Sequence, residues 1–178
     1  MSHKLLNFCI LLLLTSLLLG SCLTAPFEIS VSKVDCYFQY ESINYAWGFS
    51  HGGFTITPTG EMYTFDKTTP WVFAENNQIS LTALQNNIKA SVKKDTLIPA
   101  TDLEYFQHLA LSAVDGNMSK PVNRGNDMGG AICKIIIPDL SNSPNGYREV
   151  ILTQTGDIEF HNLAPQAAVI AAWLLEMR

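Results

Sequence analysis

Phe54-Thr55-Ile56-Thr57-Pro58-Thr59-Gly60-Glu61-Met62-Tyr63-Thr64-Phe65 decides the fold. Phe54 and Ile56 alternate with Thr55 and Thr57, the period of a strand with one buried face. Pro58 presets its own φ and Gly60 is free to take a positive one, so Pro58-Thr59-Gly60 is a turn. Met62 to Phe65 returns as the partner strand, and the stretch reads as a β-hairpin. Upstream, Gly48, Gly52 and Gly53 mark a bulge or a close backbone approach. Further back, Phe27, Ile29 and Val31 share one parity, and Val34, Cys36, Phe38 and Tyr40 the other. A bulge near Ser32-Lys33 accounts for the switch.

Downstream, Ser80 is an N-cap. Leu81, Leu84, Ile88 and Val92 then share a helical face, with Lys93 and Lys94 at its end. Thr101 and Glu104 have capping-box spacing before a second helix that stops at Asp115-Gly116. Residues 117–130 are rich in Gly, Asn and Asp and form the longest loop. Ala131 to Ile137 is β-branched and nearly continuous, as a central strand is. Tyr147 to Gln154 and Asp157 to Phe160 are strands joined at Thr155-Gly156. Asn162 caps a last helix from Leu163 to Met177, apolar almost all round. The expected class is α+β: an antiparallel sheet of about five or six strands, with about three helices mainly on one face.

The first residues address the chain. Lys4 and His3 precede an apolar run, Leu5 to Leu19, broken only by Asn7, Thr15 and Ser16. That is the length of a signal peptide and shorter than the roughly 20 residues of a membrane span. It closes with Leu19-Gly20-Ser21-Cys22, which resembles the lipobox of bacterial lipoproteins. The resemblance covers only about the first 22 residues. It implies cleavage after Ser21, a diacylglycerol on the Cys22 thiol and acylation of the new amino terminus, with palmitate among the chains. Residues 1–21 are then the leader, 22–26 a lipidated tether and 27–178 a single globular domain. Several acyl chains on one residue anchor stably where one does not. Leu23, not Asp, follows Cys22, which implies the outer membrane in a Gram-negative cell envelope. The alternative is an ordinary secretory leader on a eukaryotic secreted protein, for which Asn117-Met118-Ser119 would be a candidate glycosylation acceptor.

Lys4 is one of 11 Lys and Arg, while all 16 Asp and Glu lie beyond Cys22, so cleavage moves the net charge from −5 to −6. No basic patch exists, which argues against a nucleic-acid partner. Membrane contact must rest on the lipid, because a negative domain is not drawn to anionic headgroups. No sequence feature calls for a cofactor.

Cys9 leaves with the leader. Cys36 and Cys133 remain, an even pair that suggests a disulfide in an oxidising compartment, closing a loop worth roughly 4–5 kcal/mol. The alternative is two buried thiols on neighbouring strands. Neither has a CxxC neighbour, and no HExxH or other metal spacing occurs, so no metal site is expected.

Among the histidines, His108 follows Glu104 by one helical turn, a solvated pair. His51 stands in the glycine-rich strand, and His161 at a strand end near Asp157. A Ser50, His161 and Asp157 grouping would serve a small envelope hydrolase, but no GxSxG elbow supports it. Arg124 to Gly130 lacks the Lys-Ser/Thr ending of a phosphate loop. Tyr45, Trp47, Phe49 and Trp71 are the densest aromatic group: a contact surface if exposed, the core of the sheet if buried, and core is the preferred reading.

The leading functional expectation is a membrane-anchored envelope lipoprotein with a binding or envelope-associated role and no catalysis. The alternatives are the hydrolase, and a structural or assembly factor that buries Val169, Trp173 and Leu174 against a protein partner.

Overall fold

The computed structural model describes residues 35–46, 48–66, 70–139 and 146–178. The leader, Cys22, the strand expected over 27–31 and Trp47 lie outside them. The hairpin forms where the alternation places it. β2 (Ser50–Ile56) pairs antiparallel with β3 (Glu61–Asp66), Ile56 opposite Met62. Gly60 closes the turn at φ 85° and donates its N–H to the Thr57 carbonyl at 2.9 Å.

β1 (Tyr37–Asn44) lies between β2 and β7 (Gly130–Pro138), which pairs with β8 (Gly146–Gly156); β9 (Ile158–His161) follows. β7 is central, as its apolar run demands. Three further strands bring the α+β sheet to nine among the described residues, rather than five or six: β4 (Gln78–Ser80), β5 (Val92–Leu97) and β6 (Val122–Asn123). Their ladders are all antiparallel: β4 on β8, β5 on β3 and β6 on β9.

β5 corrects the helix expected through Lys94. α1 (Leu81–Ala90) begins as expected, the Ser80 hydroxyl accepting the Ala83 N–H at 3.1 Å. It stops at Ala90, and Lys93 and Lys94 run in an edge strand exposed at every position. The Thr101–Glu104 box is also absent. α2 (Ala100–Ala113) starts two residues earlier than that box would place it, behind Pro99, with no side-chain cap. α3 (Pro165–Glu176) is capped at Ala164, not at Asn162. The buried Asn162 amide instead donates to the Ala113 carbonyl at 2.8 Å and accepts the Ala164 N–H at 2.9 Å. It therefore ties the end of α2 to the start of α3.

α2 and α3 cover one face of the sheet, where Phe38, Ile56, Ile135 and Leu152 meet Ile170 and Leu174. Trp173 is wedged between Phe106, stacked at 3.8 Å, and Phe38, edge-on at 5.1 Å. Of Val169, Trp173 and Leu174, only Val169 is exposed. α1 packs on the opposite face, with Ile79, Leu84, Ile136 and Tyr147.

The expected disulfide is not formed. Cys36 and Cys133 are buried free thiols. Cys133 stands opposite Tyr40 in the β1–β7 register, four residues along from Cys36. That is about 13 Å at the rise of a strand, beyond the roughly 7 Å a disulfide can bridge. Burial pushes the Cys36 thiol up and the Cys133 thiol up to about 11, so both stay protonated and inert at neutral pH.

Candidate functional site

The face covered by α1 carries a buried charged cluster. Glu41 on β1, His51 on β2 and Lys134 on β7 are 3%, 2% and 4% exposed. The Lys134 ammonium donates to Glu41 Oε1 at 2.9 Å and to the Glu149 carboxylate on β8 at 2.9 Å. Glu41 Oε2 meets His51 Nε2 at 3.1 Å and accepts from Gln39 Nε2 at 3.0 Å. Burial alone would raise the Glu41 carboxyl, but Lys134 and the His51 hydrogen bond outweigh it and hold it at about 2. Burial would likewise lower Lys134, and its two carboxylate partners reverse that, so its pKa lies above the ordinary range. Gly53 lets β1 and β2 close up beside this cluster. A β-carbon there would run into the Tyr40 carbonyl and the Glu41 Cα.

Aromatic rings roof the cluster. Phe65, Trp71 and Phe73 lie 4.9–5.0 Å from the His51 ring. Phe49 continues the group outward, 6.3 Å from Phe73 and 5.3 Å from Tyr45. Tyr45 is 73% and Phe49 50% exposed, Phe73 is exposed and Trp71 is half-buried. The preferred core reading of this group is therefore corrected: the described aromatics form a ledge on the surface. The strands cannot bury it, because Tyr45 and Phe49 sit in the β1–β2 connection, past the end of the ladder.

The segment carrying Trp71 and Phe73 is clasped to α1. The buried Asn87 donates to the Val72 carbonyl at 2.8 Å and accepts the Val72 N–H at 2.9 Å. Asn87→Ala removes both bonds and leaves the Val72 N–H and carbonyl without their side-chain partner. A loss of about 1–3 kcal/mol in urea titration is expected, with faster proteolysis between residues 70 and 77.

Tyr45 also lines a pocket of about 460 Å³. Ile43 and Ile132 floor it, and Asn126, Asp127 and Asp157 wall it. Ile43 follows Glu41 by two residues on β1, and Ile132 precedes Lys134 by two on β7, so the pocket adjoins the charged cluster on the same face. Its wall is pinned by Asp157. The Asp157 side chain accepts the Met128 N–H at 2.8 Å, its carbonyl accepts the Arg124 N–H at 2.9 Å, and its N–H donates to the Gly129 carbonyl at 2.8 Å. Gly129 stands at φ 72°, where a β-carbon would strike the Ile43 carbonyl. Residues 124–129 form a fixed wall, not a phosphate cradle.

The imagined Ser50, His161 and Asp157 group does not assemble. Ser50 opens β2 opposite Asn44. His161 ends β9 opposite Thr153, with Ser119 Oγ 3.4 Å from its Nδ1. Three strands separate them, about 19 Å at ordinary spacing. Asp157 lies in the β8–β9 turn, about 13 Å along β9 from His161. His51 has an acidic partner, but rings cover it and Glu41 takes its Nε2. Among the described residues, no group of three or more His, Cys, Asp or Glu is placed to hold a metal ion, and no helix is long and apolar enough to cross a membrane.

The sequence did carry one signal of the cluster. Lys134 is a lone charge inside an apolar strand, and a buried charge demands a partner. Glu41 gave none, because alternation with Phe38 and Tyr40 places it on the solvent side of a two-layer sheet.

Comparison with protein-family models found no match, and comparison with curated protein sequences found none.

Proposed function

We propose that the chain is a lipid-anchored protein of the bacterial cell envelope, held at the membrane through Cys22. It binds a ligand on the Tyr45–Phe49–Phe73 ledge and in the adjoining pocket, without catalysis. One observation carries the binding reading: three large rings stand in solvent over a base locked by the Glu41–His51–Lys134 cluster. Contiguous exposed apolar surface marks contact sites, and rigid aromatic side chains give contact area at low entropy cost. The pocket contributes Asp127 and Asp157 as acceptors, and no Lys or Arg lines it among the described residues. The ligand that fits offers an apolar face to the rings and hydroxyl or amine donors to the pocket. The lipobox resemblance supports the anchor.

Hydroxyl-radical footprinting tests the reading. Tyr45 and Phe49 are expected to oxidise several-fold more slowly in intact envelopes than in the purified full-length protein. Tyr105, exposed on α2, should react equally in both. Equal rates at Tyr45 and Phe49 would overturn the proposal. The double variant Tyr45→Ala, Phe49→Ala removes exposed side chains, so stability should change by no more than about 0.5 kcal/mol for each. Binding should fall by at least about 30-fold, the loss of a contact hot spot, read as lost protection of Phe73.

A further inference from the structure

The opposite face of the sheet holds a second cleft, of about 640 Å³. α3 packs on β1, β7 and β8, and beyond its end the strands β1, β2, β3 and β5 form the floor and one side. Tyr40 and Phe54, stacked at 5.7 Å, make the floor with Met62, and Met177 stands above them. Two of the lining residues are cationic. Lys94 projects from β5, and the Arg178 guanidinium lies 5.8 Å from the centre of the Tyr40 ring. No Asp or Glu lines the cleft among the described residues, although the chain carries a formal net charge of −5. An apolar floor beside two cationic side chains and the hydroxyl of Thr96 is complementary to one kind of molecule. We propose that this cleft binds an anionic amphiphile, an acyl chain with a carboxylate or phosphate head. The volume is within the range of about 300–1,000 Å³ usual for small-ligand sites. The head pairs with Lys94 and Arg178, and the chain lies along Tyr40, Phe54 and Met62. This site is separate from the aromatic ledge, and either reading stands without the other.

The test titrates carboxyl-labelled dodecanoate into the full-length protein in phosphatidylcholine nanodiscs, with empty nanodiscs as baseline. Saturable one-site binding is expected. Affinity should rise about fourfold per methylene from octanoate to dodecanoate, the effect of burying about 0.8 kcal/mol each. Dodecanol, with the same chain and no charge, should bind at least about tenfold more weakly. The double variant Lys94→Gln, Arg178→Gln should abolish that preference; both positions are exposed, so folding is spared. Thr96→Trp, at an exposed edge position, should block the cleft and leave the Tyr45 footprint unchanged. Dodecanoate binding tighter than dodecyl phosphate points to free fatty acids, and the reverse order to phospholipid-derived heads; both orders support the site. Absence of saturable binding, or equal affinity for dodecanol, would overturn it.

Discussion

Glu41→Gln is expected to cost about 3 kcal/mol at pH 7, measured by urea denaturation. The Glu41 carboxyl is held at about 2 against an ordinary 4.5, and lowering a pKa by one corresponds to about 1.4 kcal/mol in favour of the charged form. Because the folded-state value is the lower one, this stability is fully present above about pH 4.5. It is lost as pH falls from there towards about 2. The wild type should therefore weaken steeply through that window, and Glu41→Gln should weaken less. The size agrees with the cost of about 3–5 kcal/mol for breaking a buried ion pair from one side. The loss has a structural cause: Lys134 keeps Glu149 but loses its other carboxylate partner, and His51 and Gln39 lose their acceptor's charge. A cost under about 1 kcal/mol would show that the cluster is not held as described.

Phe38→Ala is expected to cost about 3–5 kcal/mol. Phe38 is fully buried and joins the sheet to α3 through Trp173. Trp173 is in turn clamped on α2 by Phe106, so collapse around the missing ring would have to pull both helices inward. Close packing resists that, and the cavity remains. The loss should appear as a lower urea midpoint with an unchanged slope.

Phe38 marks what was legible, and Glu41 what was not. Phe38 stands in an alternating run whose core face follows from period alone. The same holds for the β2–β3 hairpin, where turn chemistry and alternation coincide, and for β7, whose apolar run leaves no other place than the centre. β5 was not legible. Val92, Lys93, Lys94 and Asp95 have no buried face, and a strand exposed on both sides has no period to read. The first residue of that strand, Val92, fitted the preceding helical face by spacing and extended the helix too far. β4 and β6 are too short to show alternation. Their pairing is set by β8 and β9, far along the chain.

At the candidate site, the aromatic group was visible but its burial was not. Exposure of Tyr45 and Phe49 depends on where the β1–β2 ladder ends, and the ladder end depends on register. The cluster beneath is less legible still, because Glu41 and Lys134 are 93 residues apart and meet only once β1 lies on β7. The clasp through Asn87 belongs to the same class. Asn87 is a polar residue buried on α1, where it is hydrogen-bonded to Val72 fifteen residues earlier.

The intact mass of the protein, extracted with detergent from its native membrane, tests most directly the anchor on which the envelope reading rests. The expected mass is that of residues 22–178 plus acyl chains on Cys22. A mass without acyl chains, or cleavage at another bond, would contradict it and place the ligand of the Tyr45–Phe49–Phe73 ledge outside the cell envelope.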